Sequence, residues 1–402
     1  MHEFPILLFL AGLTFSYGLI SKLSERVPIT GPMVFTAVGI AIGPAGLRFF
    51  ELNMDDALIR IIAEITLVSI LFVEASTIDI RALVRDKGVP ARLLLIGLPL
   101  TMAIGTMVAS WFFPAASWWL LALLAFVLSP TDAALGQAVV TSKDVPEHLR
   151  RAINVESGIN DGLVLPPILL CIAALGIATA EQSTALYWID FTVAQLIVGP
   201  LAGAIIGIGG GWLVERASQA KLMSSTFQRL SAIALAILAW GFAEEFHGNG
   251  YIAAFFAGLL LYTRTHSVRE RVHEYGEAEG QQLTLFIFLI FGAAMVPEAA
   301  PFWSLEVWVY ALLSLTVIRM LPVALSLTGS RLDLRDRLFV GWFGPRGVAS
   351  ILYLEMVIMD LGIAGYETLL AAIVLTVMLS VFLHGLTAVP LARLYRRKNK
   401  GV

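Results

Sequence analysis

The sequence predicts an all-α polytopic membrane protein of about 13 transmembrane helices, two inverted six-helix repeats joined by a connecting span, each with a discontinuous helix (spans 5 and 12). Three observations lead there. Hydrophobic residues make up 58% of the chain and charged residues 14%, with a mean hydropathy of +0.82, well outside the soluble range. Basic residues alternate between the loops in the manner of a multi-pass protein. Two distant apolar segments each carry a proline beside a charged residue at mid-membrane depth.

A span takes roughly 17 to 25 mostly apolar residues. Such segments fall at 4–23, 29–47, 57–77, 93–113, 118–142, 149–178, 186–214, 226–246, 250–264, 282–298, 305–328, 336–359 and 365–392. In the first, Lys22 follows the apolar stretch and no basic residue precedes it, which argues against a cleaved signal peptide and for an N-terminus outside. Counting from there, the inner loops and the C-terminal tail hold 23 of the 27 Lys and Arg residues. The exceptions are Arg48 outside, Arg60 near a span end, and Arg319 and Arg346 within spans. The expected topology is therefore N-terminus outside and C-terminus cytoplasmic, in the plasma (inner) membrane of a bacterium or archaeon.

The chain reads as a single transmembrane domain, 1–402, divided into a first repeat (1–178), a connector (179–225) and a second repeat (226–402). The sequence stops about ten residues after its last span, so no soluble regulatory domain is expected. Gly209, Gly210 and Gly211 in the connector suggest close helix packing and a bend. The balance of 27 basic and 30 acidic residues gives no reason to expect nucleic acid, and a lone Cys171 excludes an intrachain disulfide.

Ionisable groups in hydrocarbon are costly, and here they concentrate in SPTDAALGQ (129–137) and NVESGINDG (154–162). Pro130 removes a backbone donor and interrupts its helix; Pro345, in FGPRG, does the same in a segment running the opposite way. Paired interruptions of this kind point to a transporter binding site. On the helix of 149–178, Asn154, Ser157 and Asp161 form one stripe, and Glu156 with Asn160 forms the next. The first stripe is expected to meet Thr131, Asp132 and carbonyls freed by Pro130, giving an all-oxygen site suited to a hard cation such as Na+. The second stripe needs a counter-charge, for which Glu156 with Arg319 is favoured; Arg346 is then left to compensate the break at Pro345 and the negative helix end there. Burial favours the neutral carboxylic acid, so Asp161 is expected to hold either a proton or a cation. No cofactor is expected.

SPTDAALGQAVVTS followed by RRAINVESGINDGLVLPP closely resembles the NhaP-type sodium/proton antiporters of the monovalent cation/proton antiporter superfamily, with FGPRG and VIRMLP matching the later spans. The resemblance covers essentially the whole chain. It implies the inverted-repeat fold with two crossed discontinuous helices, and a core domain moving against a dimerisation domain, in homodimers. It further implies Asp161 as ion and proton carrier, Asp132, Ser157 and Thr131 completing the site, Asn160 bracing the fifth span, Glu156 with Arg319 as structural, and Glu74 lining the cytoplasmic approach. Asn160 before Asp161 implies the electroneutral branch, one cation per proton.

The expected function is thus antiport of Na+ or Li+ against H+ by elevator-type alternating access. A K+/H+ antiporter of the same fold is the alternative, because oxygen ligands suit both ions. A cation channel is disfavoured by the paired breaks and the lack of a TVGYG-type filter, and a non-transporting sensor by the presence of both Asp132 and Asp161. Glu64, Glu355 and His384 read as packing residues rather than ligands. His266 and His273 read as residues of a solvated loop, with pH sensing as the rival reading, and Glu244, Glu245 and His247 lie near the outer surface.

Overall fold

The computed structural model describes residues 3–24, 27–49, 57–78, 88–132, 135–178, 197–261 and 266–399. All regular structure among them is helical: α1 (Glu3–Ser24), α2 (Gly31–Ile42), α3 (Ala57–Thr77), α4 (Val89–Phe112), α5 (Trp118–Val127), α6 (Gln137–Val140), α7 (Glu147–Ala178), α8 (199–219), α9 (Ser225–Glu245), α10 (Gly250–Leu259), α11 (His266–Ile290, prolonged by one π-helical turn, Phe291–Met295), α12 (Leu305–Leu315), α13 (Val317–Ser326), α14 (Leu334–Trp342), α15 (Val348–Leu361) and α16 (Glu367–Asn399). Six apolar stretches among the described residues are long enough to cross a membrane: Val89–Phe112, Glu147–Gly176, Ser225–Glu245, Ala278–Phe302, Leu305–Ser326 and Glu367–Tyr395. Leu8–Lys22, Gly31–Ile42, Trp118–Val127 and Gly250–Leu259 are shorter apolar helices.

The differences from the sequence reading have local causes. The segment expected over 118–142 stops at Val127 and resumes at Gln137, because Pro130 cannot extend the ladder. That over 336–359 is broken between Trp342 and Val348 around Pro345. The helix expected over 29–47 ends at Ile42, ahead of Gly43 and Pro44, and the one expected over 250–264 ends at Leu259. The helix expected over 305–328 is interrupted at Thr316, whose φ of −112° and ψ of −92° are not helical. Where starts are sharp, short polar side chains cap them: Thr30, Ser117, Ser224, Asn249, Ser304 and Asp333 each accept a hydrogen bond from a first-turn amide.

The chain forms two compact units. One comprises residues 1–59, 88–157 and 284–402; the other comprises 60–87 and 158–283, so the division falls within α7, between Ser157 and Gly158. In the first unit α2 packs on the π-helical turn after α11, and α16 packs along α12. An apolar cluster of Leu149, Ile153, Val323, Leu327, Val340 and Phe343 lies among α7, α13 and α14.

The second unit is held by small residues. Ala232, Ala236, Ala239, Ala253, Ala254 and Ala257 line its core with Val68 and Phe72 of α3. Gly203 and Gly207 set α8 directly on α10: a Cβ at either would collide with the Ala253 or Ala257 backbone. Within the expected triplet, a Cβ at Gly210 would collide with the Leu235 side chain of α9, whereas Gly209 meets nothing within 4 Å. The expected irregularity takes the form of a π-helical turn, Ile205–Gly210. Gly203→Leu is expected to destabilise the protein by on the order of 2 kcal/mol, read as a lowered melting temperature of purified protein, whereas Gly209→Leu leaves that temperature undiminished.

Candidate functional site

The first unit contains both helix breaks, and they bond to each other. α5 is terminated at Leu128, whose ψ of 6° is not helical; the Leu128 and Ser129 amides reach the Leu124 and Phe126 carbonyls, and the carbonyls beyond are served from the second break. Ser350 Oγ donates to the Val127 carbonyl at 2.7 Å. The Arg346 guanidinium donates from Nη1 to the Ser129 and Pro130 carbonyls, at 2.7 and 3.0 Å. In return, the Asp132 amide donates to the Pro345 carbonyl at 2.8 Å, and Asp132 Oδ2 accepts from the Val348 amide at 3.0 Å. Val348 opens α15, so a carboxylate sits at that helix's positive end and a guanidinium at the negative end of α5. Arg346 is 0% exposed and Asp132 6% exposed.

Arg346 thus acts differently from the sequence expectation. It compensates the carbonyl end at Pro130 rather than the break in its own segment, because the two breaks lie against each other and its long side chain spans them. The carbonyls expected to be freed by Pro130 as cation ligands are consequently occupied at Ser129 and Pro130. Two glycines of FGPRG make the arrangement possible. A Cβ at Gly347 would fall on the Asp132 carboxylate, and one at Gly344 on the Arg319 guanidinium. These glycines, with Ser350, were not singled out by sequence reasoning; their positions flanking Pro345 and Arg346 are the only signal the sequence offers.

Beside the breaks, Thr131 Oγ1 and Ser157 Oγ share a hydrogen bond of 3.0 Å, both residues being buried. Glu156 and Arg319 form a two-pronged ion pair, Oε1 to Nη1 at 2.7 Å and Oε2 to Nη2 at 2.8 Å. Arg319 lies on α13, set off from α12 by the interruption at Thr316. The pair is essentially sealed, which makes loss of one partner far more costly than loss of both.

The longer segment of the second unit begins at Gly158 and contains Asn160 and Asp161, both buried. Asp161 stands one turn beyond Ser157 along α7, and Asn160 one turn beyond Glu156, so the two expected stripes are present on one continuous helix. Asn154 is the exception, since it is exposed. The neighbouring Gly162 admits the Phe255 ring of α10, which a Cβ there would overlap. Further on, Pro166 and Pro167 withhold the amides that the Gly162 and Leu163 carbonyls would otherwise accept from. Glu74 is half-buried on α3, with its carbonyl 3.7 Å from where a Gly158 Cβ would stand.

Other ionisable residues are placed as follows. Glu355 is buried on α15, and Glu64 is half-buried on α3. His384 is buried on α16 against Trp342, with ring centroids 4.8 Å apart. Glu244 accepts from the Gly250 amide at 2.9 Å, fixing the α9–α10 turn. The side chains of Arg60, His266 and His273 lie outside the described residues. Among the described residues no group of His, Cys, Asp and Glu is arranged to hold a metal through three such ligands.

A family model described as sodium/hydrogen exchanger, transmembrane, matches residues 10–394. The chain belongs to this family. Among its relatives, the K(+)/H(+) antiporter NhaP2 of Shewanella sp. (strain MR-4) is 26% identical over 386 residues, covering 94% of this chain and 64% of that protein. The Na(+)/H(+) antiporter 2 of Zygosaccharomyces rouxii is 26% identical over 349 residues, covering 81% of this chain and 42% of that protein. The chain thus spans less than two thirds of the length of these relatives. The sodium proton antiporter MjNhaP1 from Methanocaldococcus jannaschii, solved at pH 8, shares the fold: TM-score 0.76 at 20% identity, over 98% of this chain and 99% of that one. The chain is accordingly an all-helical, multi-pass membrane protein of the exchanger family.

The sealed ion pair supplies a test of the local energetics. Arg319→Gln leaves Glu156 buried without its counter-charge and is expected to cost about 3–5 kcal/mol. The double variant Glu156→Gln/Arg319→Gln is expected to regain most of that loss, as measured by thermal unfolding of the purified proteins.

Proposed function

We propose that the chain is a secondary antiporter that exchanges a monovalent cation, Na+ or Li+, for a proton across the membrane, one for one. The observation that carries this reading is the buried Thr131–Ser157 hydroxyl pair one helical turn from Asp161, next to a charge-balanced pair of helix breaks. Hydroxyl and carboxylate oxygens are the donors a hard cation takes. Asp161 is the ion and proton carrier: ionised, it takes the cation; protonated, it releases it. Thr131, Ser157 and Asp132 complete the cation's ligand set, with Asp132 also tied to the Val348 amide. Asn160 braces the break at Pro130, Glu156 and Arg319 hold α7 to α13, Arg346 fixes the crossing, and Glu74 lines the cytoplasmic approach.

Membership of the exchanger family supports antiport, and the names of the relatives agree with it. Inverted repeats, elevator-type alternating access and a homodimer belong to the same proposal and rest on the resemblance of SPTDAALGQ, NVESGINDG and FGPRG to the NhaP-type antiporters. The distribution of Lys and Arg supports an N-terminus outside and a cytoplasmic C-terminus, and the relatives from Shewanella support the inner membrane of a bacterium or archaeon. A K+/H+ antiporter is the second reading, favoured by the relatives from Shewanella and Alkalimonas amylolytica, which bear that name.

The test is purified protein in liposomes enclosing a pH dye, challenged in turn with Na+, Li+ and K+. Na+ and Li+ are expected to move protons out of the vesicles, and Asp161→Asn to reduce that signal at least 100-fold, on the order of a lost essential binding group. A response to K+ alone would select the second reading, and full exchange by Asp161→Asn would remove Asp161 from the mechanism. Clamping the voltage with potassium and valinomycin is expected to leave the Na+ signal unchanged.

A further inference from the structure

The non-helical segment between α14 and α15 sets where Arg346 and Asp132 meet, yet it is five residues long and contains two glycines. Such a segment has little intrinsic preference for one path. Its registration comes from one face of α16. Ser380 Oγ accepts from the Arg346 amide at 2.7 Å, and Ser380 is 0% exposed. One turn later, His384 Nδ1 lies 3.0 Å from Ser380 Oγ and packs its ring on Trp342, the last residue of α14. Thr387, on the same face, accepts from Trp342 Nε1 at 3.0 Å.

This use of Ser380 departs from its neighbours. Thr376 and Thr387 turn their hydroxyls back on the carbonyls of Ala372 and Leu383, the ordinary arrangement in a helix. The Ser380 oxygen instead faces outward to an amide that no helix ladder serves. His384 Nδ1 stands 3.0 Å from both the Ser380 hydroxyl and the Ser380 carbonyl, so the ring is bonded to Ser380 in either tautomer, accepting from the hydroxyl in one and donating to the carbonyl in the other. The chain of contacts runs from His384 to Ser380, to the Arg346 backbone, and through the Arg346 side chain to the carbonyls of Ser129 and Pro130.

We propose that Ser380 and His384 are positioning residues of the exchange site, holding the break at Pro345 in register so that Arg346 and Asp132 keep the first break, and Thr131 with it, in cation-binding geometry. This inference rests on the antiporter reading above. Neither residue touches the cation; each acts through Arg346.

The experiment measures the half-saturating cation concentration and the maximal rate of dye-reported exchange in liposomes. Ser380→Ala is expected to raise the half-saturating concentration roughly tenfold, as for one lost buried hydrogen bond, with the maximal rate changed less than twofold. His384→Leu is expected to act in the same direction, while Ser380→Thr and His384→Asn, which keep an oxygen or an acceptor in place, stay near the wild-type value. Should Ser380→Ala fail to purify as a monodisperse protein, the pair His384→Leu and His384→Asn carries the same comparison. Variants that fold and keep the wild-type half-saturating concentration overturn the proposal, as does a purely rate-limiting defect that His384→Asn does not rescue. If the wild type exchanges no Na+, Li+ or K+ for protons, the antiporter reading falls and this inference with it; if the wild type exchanges and the variants match it, this inference alone falls.

Discussion

Two helices that stop inside a membrane leave carbonyls at one end and amides at the other with no water to receive them, and here each break supplies what the other lacks. Arg346 reaches the carbonyl end at Ser129 and Pro130, while Asp132 reaches the amide that opens α15. Each unsatisfied backbone group would cost about 1–3 kcal/mol, and each lone charge more. Removing either residue therefore does not merely delete a contact. It strands a helix end and the opposite charge together, which is why the crossing behaves as one unit and why Gly344 and Gly347 must stay small.

Charge accounting follows from the same geometry. Within the first unit, Asp132 and Glu156 are matched by Arg346 and Arg319, so this buried set sums to zero. Its members are fixed in place by bonds to backbone or to each other, so none needs to change its charge as the protein works. Asp161, one turn beyond Ser157 on α7, stands outside that set. A proton or a monovalent cation each neutralises a carboxylate once, so alternation between them leaves the buried charge unchanged. That is the physical content of the proposed one-for-one stoichiometry.

Much of this was legible in the sequence, because hydrocarbon makes polar residues conspicuous. Proline at 130 and 345 marked the breaks, since its missing donor is a covalent fact. The spacing of Glu156, Ser157, Asn160 and Asp161 gave their faces on α7, since helical periodicity is local. What the sequence did not give was which break each charge serves, because that depends on how two distant segments cross. Arg346 was accordingly assigned to the wrong helix end. Which glycines of α8 make close contacts was hidden for the same reason: Gly203, Gly207, Gly209 and Gly210 look alike until the paths of α9 and α10 are known. His384 reads as a packing residue and Ser380 carries no signal, because nothing in their own helix indicates the Arg346 amide that Ser380 meets.

The central claim is that a cation and a proton compete for the Asp161 carboxylate while the charges of Asp132, Glu156, Arg319 and Arg346 stay fixed. Its most direct measurement is the number of protons released when Na+ binds the purified protein, obtained by titration calorimetry in two buffers of different ionisation enthalpy, at a pH where Asp161 is protonated. Release of one proton per bound Na+ is the predicted result, with both binding and release lost in Asp161→Asn. Binding of Na+ without proton release, or release that persists in Asp161→Asn, would contradict it.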